Sequence, residues 1–242
     1  MRPAIAVLLL VPSAFAGGID AGEIIARMED NQVHATAAYE GSITISDGFG
    51  VRTKTFRAFS MGKEKMLVEF TNPEEAGQKI LRSGDEIYLY YPEAEEVIRL
   101  QGSALRDSVM GSDFSYEDLT GEKGLLDLYN VALEGTENLD GRDCFVLKLT
   151  AKKKGVAYPL QRMWVDAAEF VTRKASYFAL SGKVVKEMEV KEIRVVSGKS
   201  VPTLLAIRDL MKGRSSTIFR IDKIAIDVPM DPRTFSLEEL SW

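Results

Sequence analysis

The chain has 242 residues, of which 45% are hydrophobic and 28% charged, with a formal net charge of −5. That length supports one domain with a sizeable core, and an acidic balance without a basic cluster of domain size excludes nucleic acid as a partner. A single cysteine excludes an internal disulfide even in an oxidising compartment, and a single histidine excludes histidine-built metal clusters.

The first residues predict export. Arg2 gives a short basic start, residues 4–11 form an apolar run too short to span a bilayer, and Ala14-Phe15-Ala16 reads as a small-x-small cleavage site. The expectation is a signal peptide over 1–16, a single mature domain over 17–242 and a periplasmic location. A lipid anchor would need a cysteine just after the cleavage site, and the cysteine is Cys144.

The mature chain opens with a helix. Asp20 and Glu23 have capping-box spacing, Ile24, Ile25 and Met28 share one face, and the helix is predicted to end near Asn31. From Tyr39 the hydrophobic period changes to two, with Tyr39, Gly41, Ile43 and Ile45 alternating with polar residues. Further short strands are predicted at 53–61, 65–70, 79–82, 86–91 and 97–100, separated by turn residues such as Ser83-Gly84-Asp85.

The alternation then breaks over 101–124, a stretch with four glycines that reads as a partly helical flap; Ser115 or Asp113 is placed to cap a short helix there. Strands resume at 130–137 and 142–151, joined through Asp140-Gly141, and continue at 159–166, 171–179, 184–196, 202–211 and 215–226. Asp231 and Pro232 start a terminal helical turn. The sum is about eleven antiparallel strands. A β-sandwich is the alternative to a curved, barrel-like sheet, but two helical pieces need a concave face to bury against.

Catalytic motifs are absent. There is no Gly-x-Ser-x-Gly, no phosphate-binding loop, and His34 falls in the helix-to-strand connection, where a solvated histidine is expected. Asp113, Glu117 and Asp118 group in the flap, but interleaved Phe114, Tyr116 and Leu119 and the lack of calcium-loop spacing point to a half-buried flap. Cys144 lies in an apolar run and reads as an inert core thiol. Lys152-Lys153-Lys154 is either a solvated hairpin tip or a contact for anionic headgroups or an acidic partner.

Large apolar side chains exceed what one thin sheet needs. The candidate walls of a hydrophobic cavity are Ile43, Phe56, Met66, Val68, Phe70, Leu89, Tyr91, Phe145, Leu147, Met163 and Val165, with Phe59, Ile87, Leu149, Trp164, Tyr177, Met188 and Phe219 belonging to the same surplus. Met110, Asp113, Phe114, Tyr116 and Leu119 are the candidate flap residues. Nine methionines add adaptable apolar surface.

The leader, the helix, the strand series and the block Met110-Gly111-Ser112-Asp113-Phe114-Ser115-Tyr116-Glu117-Asp118-Leu119 together resemble the LolA-type outer-membrane lipoprotein-sorting proteins, more closely the LolA-like branch found beside lipid exporters. The resemblance implies an incomplete antiparallel β-barrel with a helical lid and a cavity for lipoprotein or lipid acyl chains. It further implies a non-enzymatic monomer without cofactor or metal, working between an inner-membrane exporter and an outer-membrane acceptor. Arg57 is the candidate for a polar contact in the barrel. A sensor or adaptor that binds lipidated proteins for an envelope exporter, and a hydrolase using Asp113 or Asp118, are the other classes weighed.

Overall fold

The computed structural model describes residues 18–120 and 124–241; the expected signal peptide lies outside them. Helix α1 (Ala21–Gln32) begins at Asp20, whose carboxylate accepts from Glu23 N at 2.8 Å. Glu23 does not reach back to close the box; it pairs with Arg27 one turn on. At the other end Lys199 Nζ donates to the carbonyls of Asp30 (2.6 Å) and Val33 (3.1 Å), neutralising the helix terminus.

The strands are β1 (Thr36–Asp47), β2 (Gly50–Met61), β3 (Lys65–Phe70), β4 (Lys79–Ser83), β5 (Glu86–Tyr91), β6 (Glu96–Leu100), β7 (Tyr129–Leu139), β8 (Arg142–Ala151), β9 (Leu160–Asp166), β10 (Thr172–Phe178), β11 (Val184–Val196), β12 (Lys199–Asp209) and β13 (Ser216–Ile226). They form one antiparallel sheet in the order β6-β5-β4-β3-β2-β1-β13-β12-β11-β10-β9-β8-β7. The count is thirteen rather than about eleven: every one of the segments read from the alternation pairs, down to the five-residue β4 and β6. Two meanders, β1–β6 and β7–β13, meet where β1 pairs with β13, so first and last strands are neighbours at the centre. The sheet is open: β6 and β7 are its edges, and residues 101–128 carry the chain from one edge to the other.

That crossing segment is the flap. It contains short 3-10 turns (Gly102–Arg106 and Val109–Gly111), α2 (Tyr116–Thr120) and α3 (Leu125–Leu128). Alternation along each strand puts one apolar row on the concave face. On β1–β5 this row (Ile43, Ile45, Phe56, Val68, Phe70, Ile80, Ile87, Leu89) packs under the flap residues Val109 and Leu119. On β8–β10 the row Phe145, Leu147, Leu149, Met163 and Val165 packs under Ile24, Ile25 and Met28 of α1, which are 0–2% exposed.

The other face has a smaller cluster in which Phe235 and Leu240, from the terminal turn Pro232–Phe235 and α4 (Leu237–Leu240), cover Leu67 and Leu81. Asp231 caps that turn as its sequence implies, accepting from Arg233 N. A register shift at Glu40/Gly41 bends the central pair. Gly41 has no room for a side chain there: a Cβ would lie 2.1 Å from Arg220 O and 2.9 Å from the Phe56 ring. Among the described residues no helix is long and apolar enough to cross a membrane.

Candidate ligand cavity

The flap covers one flank of the concave face and α1 the other. Between them a cavity of about 450 Å³ opens, lined by β1–β4 and β9–β13 on one side and by α1 and the flap on the other. Register explains its lining. Leu205 pairs with Phe219, and Met188 with Ile207, so their side chains share the inner face. Phe219 stacks on Phe56 with ring centroids 5.2 Å apart and meets Phe114 of the flap at 5.7 Å. These rings form the inner wall, and Met66, Met163 and Met188 add flexible apolar surface.

Of the residues expected in the wall, Phe56, Met66 and Met163 line the cavity, as do Phe114 and Leu119 of the flap. The others face the same side of the sheet but are sealed: Ile43, Val68, Phe70, Leu89 and Tyr91 under the flap, and Phe145, Leu147 and Val165 under α1. Arg57 stands on the opposite face, because its neighbours Phe56 and Ala58 take the inner positions. It is half-exposed and pairs with Glu69 at 3.0 Å. Tyr39, Ile207, Ile221, Val190 and Val201 line the cavity and were not singled out from sequence.

The flap is fixed at two polar points. Asp113, 1% exposed, accepts from Thr217 Oγ1 (2.8 Å), Ser215 Oγ (3.0 Å) and Asp209 N (3.2 Å), while its own N donates to Thr217 Oγ1 (2.9 Å). Lys212 Nζ donates to the neighbouring Ser112 carbonyl. The left-handed backbone at Met110 (φ 50°) and Gly111 (φ 78°) turns the chain so that Ser112 and Asp113 point inward.

The second point is Asp118. Ser115 and Asp118 cap α2 reciprocally: Ser115 Oγ accepts from Asp118 N (3.1 Å) and Asp118 Oδ2 from Ser115 N (2.9 Å). Asp118 also pairs with Lys186 Nζ (2.6 Å) and accepts from Tyr158 OH (3.0 Å), with both charged groups largely buried. Ser115 is thus the helix cap; Asp113 is an anchor. Both carboxylates are occupied by donors of the fold, which describes a latch rather than an acid–base pair.

Burial, then the Asp118 charge, raises the Glu117 carboxyl above its usual range. Burial, then Tyr91, raises the Tyr116 hydroxyl. Cys144 is fully buried and its thiol is pushed up, first by burial and then by Asp166.

His34 corrects the solvated-loop expectation. It is 4% exposed, lines the cavity and has a buried Nδ1 with no hydrogen-bond partner. Burial, then the Lys199 charge, lowers its pKa, so the ring is a neutral group at the cavity's polar end. Among the described residues no cluster of histidine, cysteine or carboxylate side chains could hold a metal ion.

Solved structures with the same fold include a DUF1329 family protein from Desulfovibrio piger, 27% identical with a TM-score of 0.85, covering 90% of this chain and 97% of that one. A domain from Vibrio parahaemolyticus provisionally named as an outer membrane lipoprotein-sorting protein is 21% identical with a TM-score of 0.84, covering 91% and 98%. A LolA superfamily protein from Nitrosomonas europaea is 20% identical with a TM-score of 0.78, covering 92% and 100%. No functionally curated protein matches the chain in sequence. Residues 62–242 match the model of a family described as uncharacterized protein, and the chain belongs to that family, with a LolA-like fold.

Proposed function

We propose that the protein is a periplasmic carrier that shields an acyl chain of a lipid or lipoprotein on its way towards the outer membrane. The observation that carries this reading is the cavity of about 450 Å³ between α1, the flap and the inner face of the sheet, with Phe56, Phe114, Phe219 and methionines in its wall and charged groups such as Glu29, Lys63, Lys65 and Arg82 also lining it. It falls within the range of small-molecule sites, roughly 300–1,000 Å³. A methylene is close in size to a water molecule, about 30 Å³, so the space suits one chain of roughly fifteen methylenes.

Burying that chain would contribute about 12 kcal/mol at ~0.8 kcal/mol per methylene, against association costs of about 4–15 kcal/mol. The two are of the same order, so binding depends on how much of the tail is enclosed, and a membrane partner with a better site can take it back. Release by exchange needs no hydrolysis, and the flap carboxylates are already engaged by Lys186, Tyr158, Thr217 and Ser215. The LolA superfamily fold supports the same reading.

Native mass spectrometry of the purified protein tests it. Extra mass resolving into a lipid or lipopeptide, lost in a Phe219→Asp variant that still folds, is the expected outcome. A clean apo mass and no uptake of a fluorescent fatty acid would overturn the reading.

A further inference from the structure

Strand register places four turns side by side at one end of the sheet. The β1–β2 turn follows the Asp47–Gly50 pair, and the neighbouring Ser46–Ser216 pair brings up the β12–β13 turn. The Lys186–Asp209 pair adds the β10–β11 turn, and the Phe178–Leu160 pair adds the loop 152–159. Among the described residues, five large apolar side chains are more than 60% exposed, and four of them are here: Phe49 (94%), Leu180 (93%), Val51 (70%) and Met211 (63%). Single exposed apolar residues are ordinary; four collected on adjacent tips form a patch.

Phe49 is held out by the turn itself. Its N–H donates to Asp47 Oδ1 (2.8 Å), and Asp47 is in turn paired with Arg52 (2.7 Å). None of the four residues lines the cavity.

The same turns carry Lys152, Lys153, Lys154, Lys183, Lys212 and Arg214. Lys153, Lys154, Lys183 and Arg214 are exposed and make no ion pair among the described residues. The acidic turns 71–78 and 92–95 lie at the same end on the β3–β6 flank, set back from this plane. Glu74 and Glu75 are held by Lys54, three residues or roughly 10 Å short of Val51 along β2. A chain of net charge −5 thus concentrates cations around its most exposed apolar side chains. That combination suits a surface offering negative charge at its top and hydrocarbon just beneath.

We propose that this end of the sheet is a docking surface for an anionic lipid bilayer, with Phe49, Leu180 and Met211 entering the headgroup–acyl boundary and the lysines and arginine meeting lipid phosphates. It stands whether or not the cavity carries an acyl chain, since the two surfaces share no residue. Docking would keep the protein at a membrane while its cavity exchanges cargo.

Vesicle flotation decides it. Purified protein is mixed with phosphatidylcholine vesicles with or without phosphatidylglycerol, at low and high salt. The expected result is binding to the anionic vesicles that weakens with salt. The pairs Phe49→Ser with Leu180→Ser, and Lys153→Glu with Lys154→Glu, each weaken binding by about tenfold or more. All these side chains are exposed, so melting temperature and fatty-acid uptake should stay as in the parent. No flotation with pure lipid, or flotation that both variant pairs leave unchanged, overturns the proposal. Binding only to native membranes that carry proteins also overturns it, in favour of a protein partner.

Discussion

The flap and α1 close opposite flanks of one concave face, but different forces hold them. Helix α1 is fixed chiefly by apolar burial, with Ile24, Ile25 and Met28 sunk into a row of leucine, methionine, valine and phenylalanine side chains, and its last turn is tied by Lys199, Asn31 and Glu29. The flap also buries Val109 and Leu119, yet its position depends on Asp113 among three donors and on Asp118 beside Lys186 and Tyr158. Apolar burial is non-directional and tolerates small shifts. A buried polar latch has one geometry and is costly half-made. Helix α1 is thus a wall held mainly by apolar packing, and the flap a cover held also by buried polar anchors.

The largest expected effect comes from breaking one latch on one side only. Lys186→Met leaves Asp118 charged and buried, and should lower stability by about 3–5 kcal/mol in denaturant titration. Adding Asp118→Asn, which removes the unpaired charge but keeps an acceptor for Ser115 N and Tyr158, should restore much of that loss. A double variant as unstable as the single would show that the pair is not the latch. On the wall, Ile25→Ala should cost about 2–5 kcal/mol with little change in the rate at which a bound fatty-acid probe leaves. Faster probe release at equal folded fraction would make α1 a lid too.

A milder flap change, Asp113→Asn, keeps the shape but mismatches donors, for about 1–3 kcal/mol. Stopped-flow release of the probe should quicken in this variant, and an unchanged rate would assign the flap to structure alone.

The smallest effect is pH dependence. The folded pKa of His34 lies below its unfolded value, so acid protonates the unfolded chain first. Its contribution is complete above the unfolded value of 6.5 and is lost as pH falls from there through the lowered folded pKa. His34→Gln should flatten the fall in stability below pH 6.5, and an equally steep fall would place the acid sensitivity elsewhere.

Much of this architecture is legible in the residues. Period-two alternation marks strands such as β1 and β2, turn residues bound the others, Asp20 and Asp231 mark the helical starts, and the glycine-rich break at 101–124 marks the flap. The cavity wall is less legible, for a physical reason. Alternation says which residues face inward, but Phe70 and Val165 face inward as surely as Phe219 does. What separates them is where the flap and α1 lie, and that follows from long-range contacts such as Asp113 with Thr217. Arg57 shows the opposite case, since its place between Phe56 and Ala58 already assigns it to the outer face. His34 is a connection residue by position, between α1 and β1, and its burial comes from tertiary packing that local sequence does not carry.

The most direct test of the central claim is photo-crosslinking with a diazirine-bearing fatty acid followed by peptide mapping. The account predicts crosslinks on the cavity wall, at Met66, Phe114, Met163, Met188 and Phe219, suppressed by excess unlabelled fatty acid. Crosslinks confined to sealed residues such as Phe70 and Val165, to the outer face, or absent altogether would contradict an acyl-binding cavity between flap and helix.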